Sequence, residues 1–227
     1  MEKVAFIGGY DKTDMLLQIA KILTVLKNKV LLIDTTTLQK SRYIVPVMTP
    51  SQKYITTYED IDVAVGFKGF NEIQAYLGVQ QLEYDYVLLD IDSSIYYELY
   101  QVSPNDKHFF VTSFDLYNLR KGLAAFIRLK APVKVTKVYF TKNMLQEEDE
   151  YVKFLSKNLK IFWNEDIVFF PFETEDLNAI YINQRQAKIK FTGLSNIYVD
   201  SVMFLVEEIS GRSQGEVKKA VRLIKEN

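Results

Sequence analysis

The residues Gly8-Gly9-Tyr10-Asp11-Lys12-Thr13 follow a short apolar run and precede an apolar pattern of helical period. A glycine-containing turn that carries Lys-Thr between a strand and a helix has the layout of a phosphate-binding loop. The turn N–H groups and the helix N-terminus cradle phosphate, the lysine neutralises charge and the threonine holds Mg²⁺. The fragment alone fits a plain strand-to-helix turn equally well. Three further features favour the phosphate reading. Asp34 closes the apolar run Val30-Leu31-Leu32-Ile33, and Asp90 closes Tyr84-Asp85-Tyr86-Val87-Leu88-Leu89. Phe109-Phe110-Val111-Thr112 runs into a turn before another helical pattern. Acids at the carboxyl ends of neighbouring parallel strands converge on the crevice where open α/β sheets bind ligands. In P-loop proteins one such acid serves Mg²⁺. Taken blandly, Asp34 and Asp90 are strand-end acids at a solvent edge.

Positioning these side chains requires alternating strands and helices, and the pattern predicts them. Strands are expected over 3–7, 29–34, 84–90, 107–112, 133–140 and 167–170. Helices are expected over 14–26, 116–129, 197–209 and 216–224, the first from the apolar spacing of Met15, Leu16, Ile19, Ala20, Ile22, Leu23 and Leu26. Runs apolar on both faces mean a mostly parallel sheet covered by helices on both sides, an α/β fold in three layers. No linker, repeat or low-complexity tract interrupts the chain, so residues 1–227 read as a single domain. Residues 39–69 are the least regular part, with an extra strand pair expected from 43–48 and 61–65. Residues 212–227 read as a C-terminal helix.

Composition narrows the chemistry. With 227 residues, 48% of them hydrophobic, the chain can bury a large core. There is no cysteine, which excludes disulfides, thiolate metal sites and a cysteine nucleophile. The single histidine, His108, excludes His-rich metal sites. A serine triad through His108 lacks a Gly-x-Ser-x-Gly elbow, so His108 reads as structural. The net charge of −1 argues against nucleic acid held by bulk charge. The clusters Arg185, Lys188, Lys190 and Arg212, Lys218, Lys219, Arg222, Lys225 read as solvated faces. The N-terminal apolar run is too short for a signal peptide and no run spans a bilayer, so a cytoplasmic protein is expected, with any membrane visit peripheral or through a partner.

In order and spacing the chain resembles the MinD/ParA-like ATPases, P-loop proteins of the deviant Walker A type. Residues 4–34 look like that family's strand, loop, helix and second strand, and residues 84–92 like the strand ending in its Mg²⁺-linked acid. Val138-Tyr139-Phe140-Thr141-Lys142-Asn143 is similar to the strand ending in an adenine-facing Asn, and Phe169-Phe170-Pro171-Phe172 to the strand before the base-contacting loop. The resemblance implies ATP or ADP with Mg²⁺ as cofactor. It implies Gly8, Gly9, Lys12, Thr13 and Asn143 as nucleotide contacts, and Thr13, Asp34 and Asp90 around the metal. Members dimerise on ATP and position division, partition, pilus or flagellar machinery.

The departures from the family pattern are specific. The family loop reads Gly-Lys-Gly-Gly-x-Gly-Lys-Thr-Thr/Ser. Aligned on it, the first Gly is Phe6, the Lys that bridges the dimer is Ile7, and the Gly before the loop lysine is Asp11. Asp11 sets a negative charge against phosphate and could pair with Lys12. Thr36 stands where the family has a water-orienting Asp, and Asp92 where it has Pro. The expectation is therefore a MinD/ParA-like organising or localisation protein with a degraded loop. It would be non-hydrolysing, work through protein partners, and be compatible with a homodimer, with Phe6 and Ile7 available for a nucleotide-free contact. The alternative is a divergent, slow ATPase acting as a dimerisation switch. Tyr96, Tyr97 and Tyr100 are expected to pack in the core, the run Glu147-Glu148-Asp149-Glu150 to be a solvated helix start, and Val217, Val221 and Ile224 to pack the last helix on the domain or a partner.

Overall fold

The computed structural model describes residues 1–47, 51–143, 145–171 and 173–226. Eight strands form one sheet: β1 (Glu2–Ile7), β2 (Val30–Asp34), β3 (Tyr54–Tyr58), β4 (Ile61–Val65), β5 (Tyr86–Ile91), β6 (Lys107–Thr112), β7 (Val133–Phe140) and β8 (Ile161–Phe170). Their order across the sheet is β3-β4-β2-β5-β1-β6-β7-β8, parallel throughout except for the edge strand β3. The described helices are α1 (Thr13–Val25), α2 (Ser41–Ile44), α3 (Phe70–Leu77), α4 (Ser94–Leu99), α5 (Leu116–Ala124), α6 (Gln146–Ser156), α7 (Thr174–Gln186), α8 (Asn196–Ser210) and α9 (Gln214–Glu226).

Alternation along each strand divides the core between two faces. Val4, Phe6, Leu32 and Val111 point to one, where they meet Leu16, Ile19 and Leu23 of α1 and Val202 and Leu205 of α8. Val217, Val221 and Ile224 of α9 pack into the same cluster. Ala5, Ile7, Ile33, Leu89 and Phe110 point to the other, beneath Ile73 of α3, Leu119 and Leu123 of α5 and Val152 of α6. The expected three-layer, single-domain α/β fold is what forms. Among the described residues, no helix is long and apolar enough to cross a membrane.

The sheet edge at residues 39–69 differs from expectation. An antiparallel pair is present, but its first strand is β3, not 43–48. Residues 41–44 turn as α2, because the backbone N–H of Ser41 is drawn 3.0 Å onto Asp34 Oδ2, and Pro46 just beyond has no N–H to give a sheet ladder. Met48 lies outside the described residues. The β3–β4 connection is a tight turn with Glu59 at φ 52° and Asp60 at φ 67°, the left-handed geometry of a two-residue hairpin. The helix expected over 116–129 ends at Ala124 and continues as tighter turns, in which Ala125 N–H bonds Gly122 and Phe126 N–H bonds Leu123. The strand expected at 167–170 is only the last four of the ten residues of β8. Helices α2, α3, α4 and α7 lie outside the expected set, and α6 is anticipated only as a helix start at its acidic run.

Candidate functional site

The carboxyl ends of β1, β2 and β5 meet at one crevice. Asp34 and Asp90 are direct register partners on adjacent strands, and Phe6 of β1 pairs with Asp90 from the other side. Residues 8–12 cross this end and lead into α1. Gly8, Gly9, Lys12, Thr13, Asp34 and Asp90 are thus brought together. Asn143 is exposed in the turn after β7, its carbonyl accepting from Thr141 Oγ1 at 2.7 Å. The cavity beside the loop is lined instead by Tyr10, Phe140 and Pro171.

Gly8 has a steric reason of its own. A Cβ there would lie 1.8 Å from the Val111 carbonyl oxygen of β6. Opposite it, Gly122 of α5 lets the helix approach, since a Cβ at that position would lie 2.7 Å from Phe110 and 3.3 Å from Gly8 Cα. The loop is clamped between β6 and α5 by two glycines, one of which, Gly122, has no counterpart in the sequence motif.

Lys12 is buried, and its Nζ lies 2.6 Å from Asp90 Oδ1 and 3.1 Å from the Gly8 carbonyl. Burial pushes the Asp90 carboxyl up to about 7. Lys12 pulls against that rise, while Asp34 and Asp11 add to it. Asp34 is committed to the backbone. Its Oδ1 accepts from Thr36 N–H at 3.0 Å and from the Thr36 hydroxyl at 2.6 Å, and its Oδ2 accepts from Ser41 N–H. The carboxylate therefore organises the turn after β2. Thr36 Oγ1 in turn accepts from Gln39 N–H at 3.1 Å.

Asp11 does not pair with Lys12. Its Oδ1 accepts from Thr13 N–H at 3.1 Å, at the start of α1, and its Oδ2 pairs with Lys40. A helix N-terminus with free N–H groups attracts an anion, and here a side-chain carboxylate supplies one. Lys40 also reaches Asp14 at 3.5 Å. Asp92 accepts from Thr37 N–H at 3.0 Å and from Lys121 Nζ at 2.8 Å. Burial raises the Asp92 carboxyl, but these donors outweigh it and hold it below the usual range. Lys40, Thr37 and Lys121 carry no signal in the sequence: each is a polar residue in a turn or on an exposed helix face, distinguished only by what folding brings beside it.

The residues named for Mg²⁺ are engaged within the chain in this arrangement, apart from Thr13, which lies buried at the start of α1. Both oxygens of Asp34 are bonded to the chain and Asp90 is paired with Lys12, and among the described residues no group of three acids or histidines is placed to hold a metal.

Phe6 and Ile7 are fully buried strand residues on opposite faces of the sheet. The expected nucleotide-free contact through them is therefore excluded. β1 pairs through both positions, with β5 and with β6. Where the family motif has the first two residues of its loop, this chain has the end of a strand.

Elsewhere, Tyr97 and Tyr100 are buried as expected, with Tyr96 partly buried. Tyr97 OH meets His108 Nε2, and burial pushes the buried His108 imidazole down to about 4. The acidic run is not wholly solvated: Asp149 is buried, 2.5 Å from Lys137 Nζ and 2.9 Å from Tyr139 OH, with Lys153 at 2.7 Å.

No family model matches the sequence, and no curated protein matches it. Solved structures do match the fold. MinD in the MinC:MinD cell division complex of Aquifex aeolicus superposes with a TM-score of 0.57 at 18% identity, over 94% of this chain and 97% of that one. MinD of Aquifex aeolicus gives 0.57 at 17% identity, over 94% and 98%. An ATP complex of a McdA variant from Cyanothece gives 0.51 at 12% identity, over 94% and 97%. The chain has the fold of the MinD/ParA-like P-loop ATPases.

Proposed function

We propose that this chain is a MinD/ParA-like organising or localisation protein that acts through protein partners and does not hydrolyse nucleotide. The observation that supports this most is the Asp11 carboxylate on the first N–H of α1, neutralised by Lys40. It gives the helix N-terminus an anion from within the chain. The pairing of Lys12 with Asp90 and the commitment of Asp34 to its turn point the same way. Phosphoryl transfer depends on positioned charge, and each charge that would supply it is already engaged. The fold neighbour MinD, solved in complex with MinC, supports protein partners as the output. A homodimer is compatible with this reading, and so is work in the cytoplasm with recruitment to a membrane surface by a partner.

A slow ATPase switch is the second reading. It is favoured by the convergence of Lys12, Thr13, Asp34 and Asp90 at one crevice and by the ATP held by McdA on the same fold. It requires the internal pairs to open.

Thermal unfolding with Mg-ATP and Mg-ADP separates the two. A ligand at a hundred times its Kd stabilises a fold by about 2.7 kcal/mol. The first reading expects no shift at millimolar nucleotide and phosphate release equal to that of Lys12→Ala. A clear shift, with release above that variant, establishes the second.

A further inference from the structure

A separate cavity opens at the amino-terminal edge of the sheet, at the other end of the strands from the crevice. Its volume is about 340 Å³, within the size range of small-molecule sites. One wall is the end of α4, and the other is the segment between α5 and β7. Val102, Leu129, Ala131 and Val133 make its lining largely apolar. Tyr97 also lines it, and its hydroxyl is taken by the buried His108 ring, so it offers the cavity ring surface.

Local structure sets these walls. Past Ala124 the chain winds in tight turns, in which Ile127 N–H bonds the Ala124 carbonyl at 3.2 Å and Leu129 N–H bonds that of Phe126 at 3.1 Å. This winding buries Leu129 and leaves Arg128 and Lys130 exposed on either side of it. Lys160 Nζ holds the Lys130 carbonyl at 2.9 Å, and on the α4 side Lys3 Nζ holds the Gln101 carbonyl. Both walls are tied to the body of the domain, so little ordering is left for a ligand to impose.

The charges around the cavity do not cancel. Glu98, Arg128 and Lys130 line it, and Glu98 pairs with Lys130 at 3.5 Å. Among the described residues, no carboxylate pairs with Arg128 and no carbonyl accepts from it. A guanidinium presents a planar fork of N–H donors that matches a carboxylate, and the apolar lining matches a hydrocarbon chain. A cation would face two positive charges against one negative, and a neutral chain would leave the fork unused.

We infer that this cavity binds a small aliphatic carboxylate, its chain against Val102, Leu129 and Ala131 and its carboxylate on Arg128. The inference does not rest on the proposed function, because the cavity shares no residue with the crevice.

Calorimetric titration of the full chain with octanoate tests it, with octylamine and octanol as cationic and neutral probes of the same chain length. Octanoate should saturate with a submillimolar Kd, octanol should bind at least about fivefold more weakly, and octylamine should not bind measurably. Arg128→Gln, at an exposed position, should weaken octanoate about fivefold, the scale of an exposed ion pair, and leave octanol unchanged. Ala131→Leu, which narrows the cavity, should weaken both. Circular dichroism of both variants should match the parent. The inference is overturned if octanoate does not saturate at millimolar concentration, if octylamine or octanol binds as tightly, or if Arg128→Gln binds octanoate as the parent does. Competition with Mg-ATP keeps the two proposals apart. ATP that displaces octanoate puts the acid in the crevice and overturns this assignment, whereas ATP that binds without displacing it overturns only the non-nucleotide reading of the loop.

Discussion

Lys12 Nζ lies 2.6 Å from Asp90 Oδ1 with both side chains buried. The lysine of the loop and the acid of β5 thus neutralise each other at the centre of the crevice. Removing one partner of such a pair strands the other charge, whereas replacing both can be nearly neutral. Lys12→Met and Asp90→Leu should each destabilise by about 3–5 kcal/mol in urea unfolding. The double variant should recover most of that loss. Additive losses would mean that the pair is not coupled.

Restoring the family motif by substitution should fail at Ile7. This residue is fully buried beneath α5 and pairs with Ile91 and Phe110. Ile7→Lys would bury an unpaired charge and cost about 3–5 kcal/mol, leaving the chain unfolded or nearly so at ambient temperature. A variant as stable as the parent in chemical denaturation would show that β1 ends earlier than described.

Two buried groups should oppose each other in pH dependence. His108 has a folded pKa of about 4, below its unfolded value. The unfolded chain therefore binds its proton first, and stability falls as pH drops from about 6.5 to 4. Asp90 has a folded pKa of about 7, above its unfolded value. The native state therefore binds its proton first, and stability rises as pH drops from about 7 to 4. Each effect is on the order of 3 kcal/mol. Relative to the parent, His108→Phe should gain stability on acidification across this window and Asp90→Asn should lose it. Parallel stability–pH curves for all three proteins would contradict both assignments.

Asp149 offers a contrast within one residue's contacts. Burial alone would raise its carboxyl, but Lys137, Lys153 and Tyr139 hold it below the usual range, so its contribution to stability is present above the unfolded pKa and is lost as pH falls through the folded one. Lys137 is buried with it and Lys153 is exposed. Asp149→Ala should cost about 3–5 kcal/mol by stranding Lys137, and Lys153→Ala less than about 1 kcal/mol. Equal losses in thermal unfolding would refute the distinction.

What the sequence made legible followed from periodicity. β1, β2, β5, β6, β7 and α1 were readable because continuous apolar runs and a 3.6-residue repeat report burial directly. Gly8, Lys12, Asp34 and Asp90 were readable as neighbours because strand ends in a parallel sheet share one edge. Helix α7 was not, because its buried face mixes Asp176 and Asn183 with Ala179 while Leu177, Tyr181 and Ile182 are exposed, so no clean apolar repeat marks it. Nor was Lys40 as the partner of Asp11, or Lys121 as the partner of Asp92. Such pairs are set by which loops fold over the crevice, and a lysine in a turn looks alike whether its partner is solvent or a carboxylate. Ile7 was legible as the end of the strand expected over 3–7, which is where β1 ends, whereas aligning it to the loop motif would have placed it in the turn.

The Asp11 carboxylate sits two residues from the N–H it accepts, so for that helix end it is a tethered ligand. A short tether gives an effective concentration of millimolar or above. A phosphate dissolved at micromolar concentration would have to outcompete an internal rival present at roughly a thousandfold excess, one that cannot be diluted or dialysed away. Under the proposed function, occupancy of this helix end by the chain's own carboxylate is written into the sequence at residue 11, and a competing phosphate must reach at least the same millimolar range to displace it.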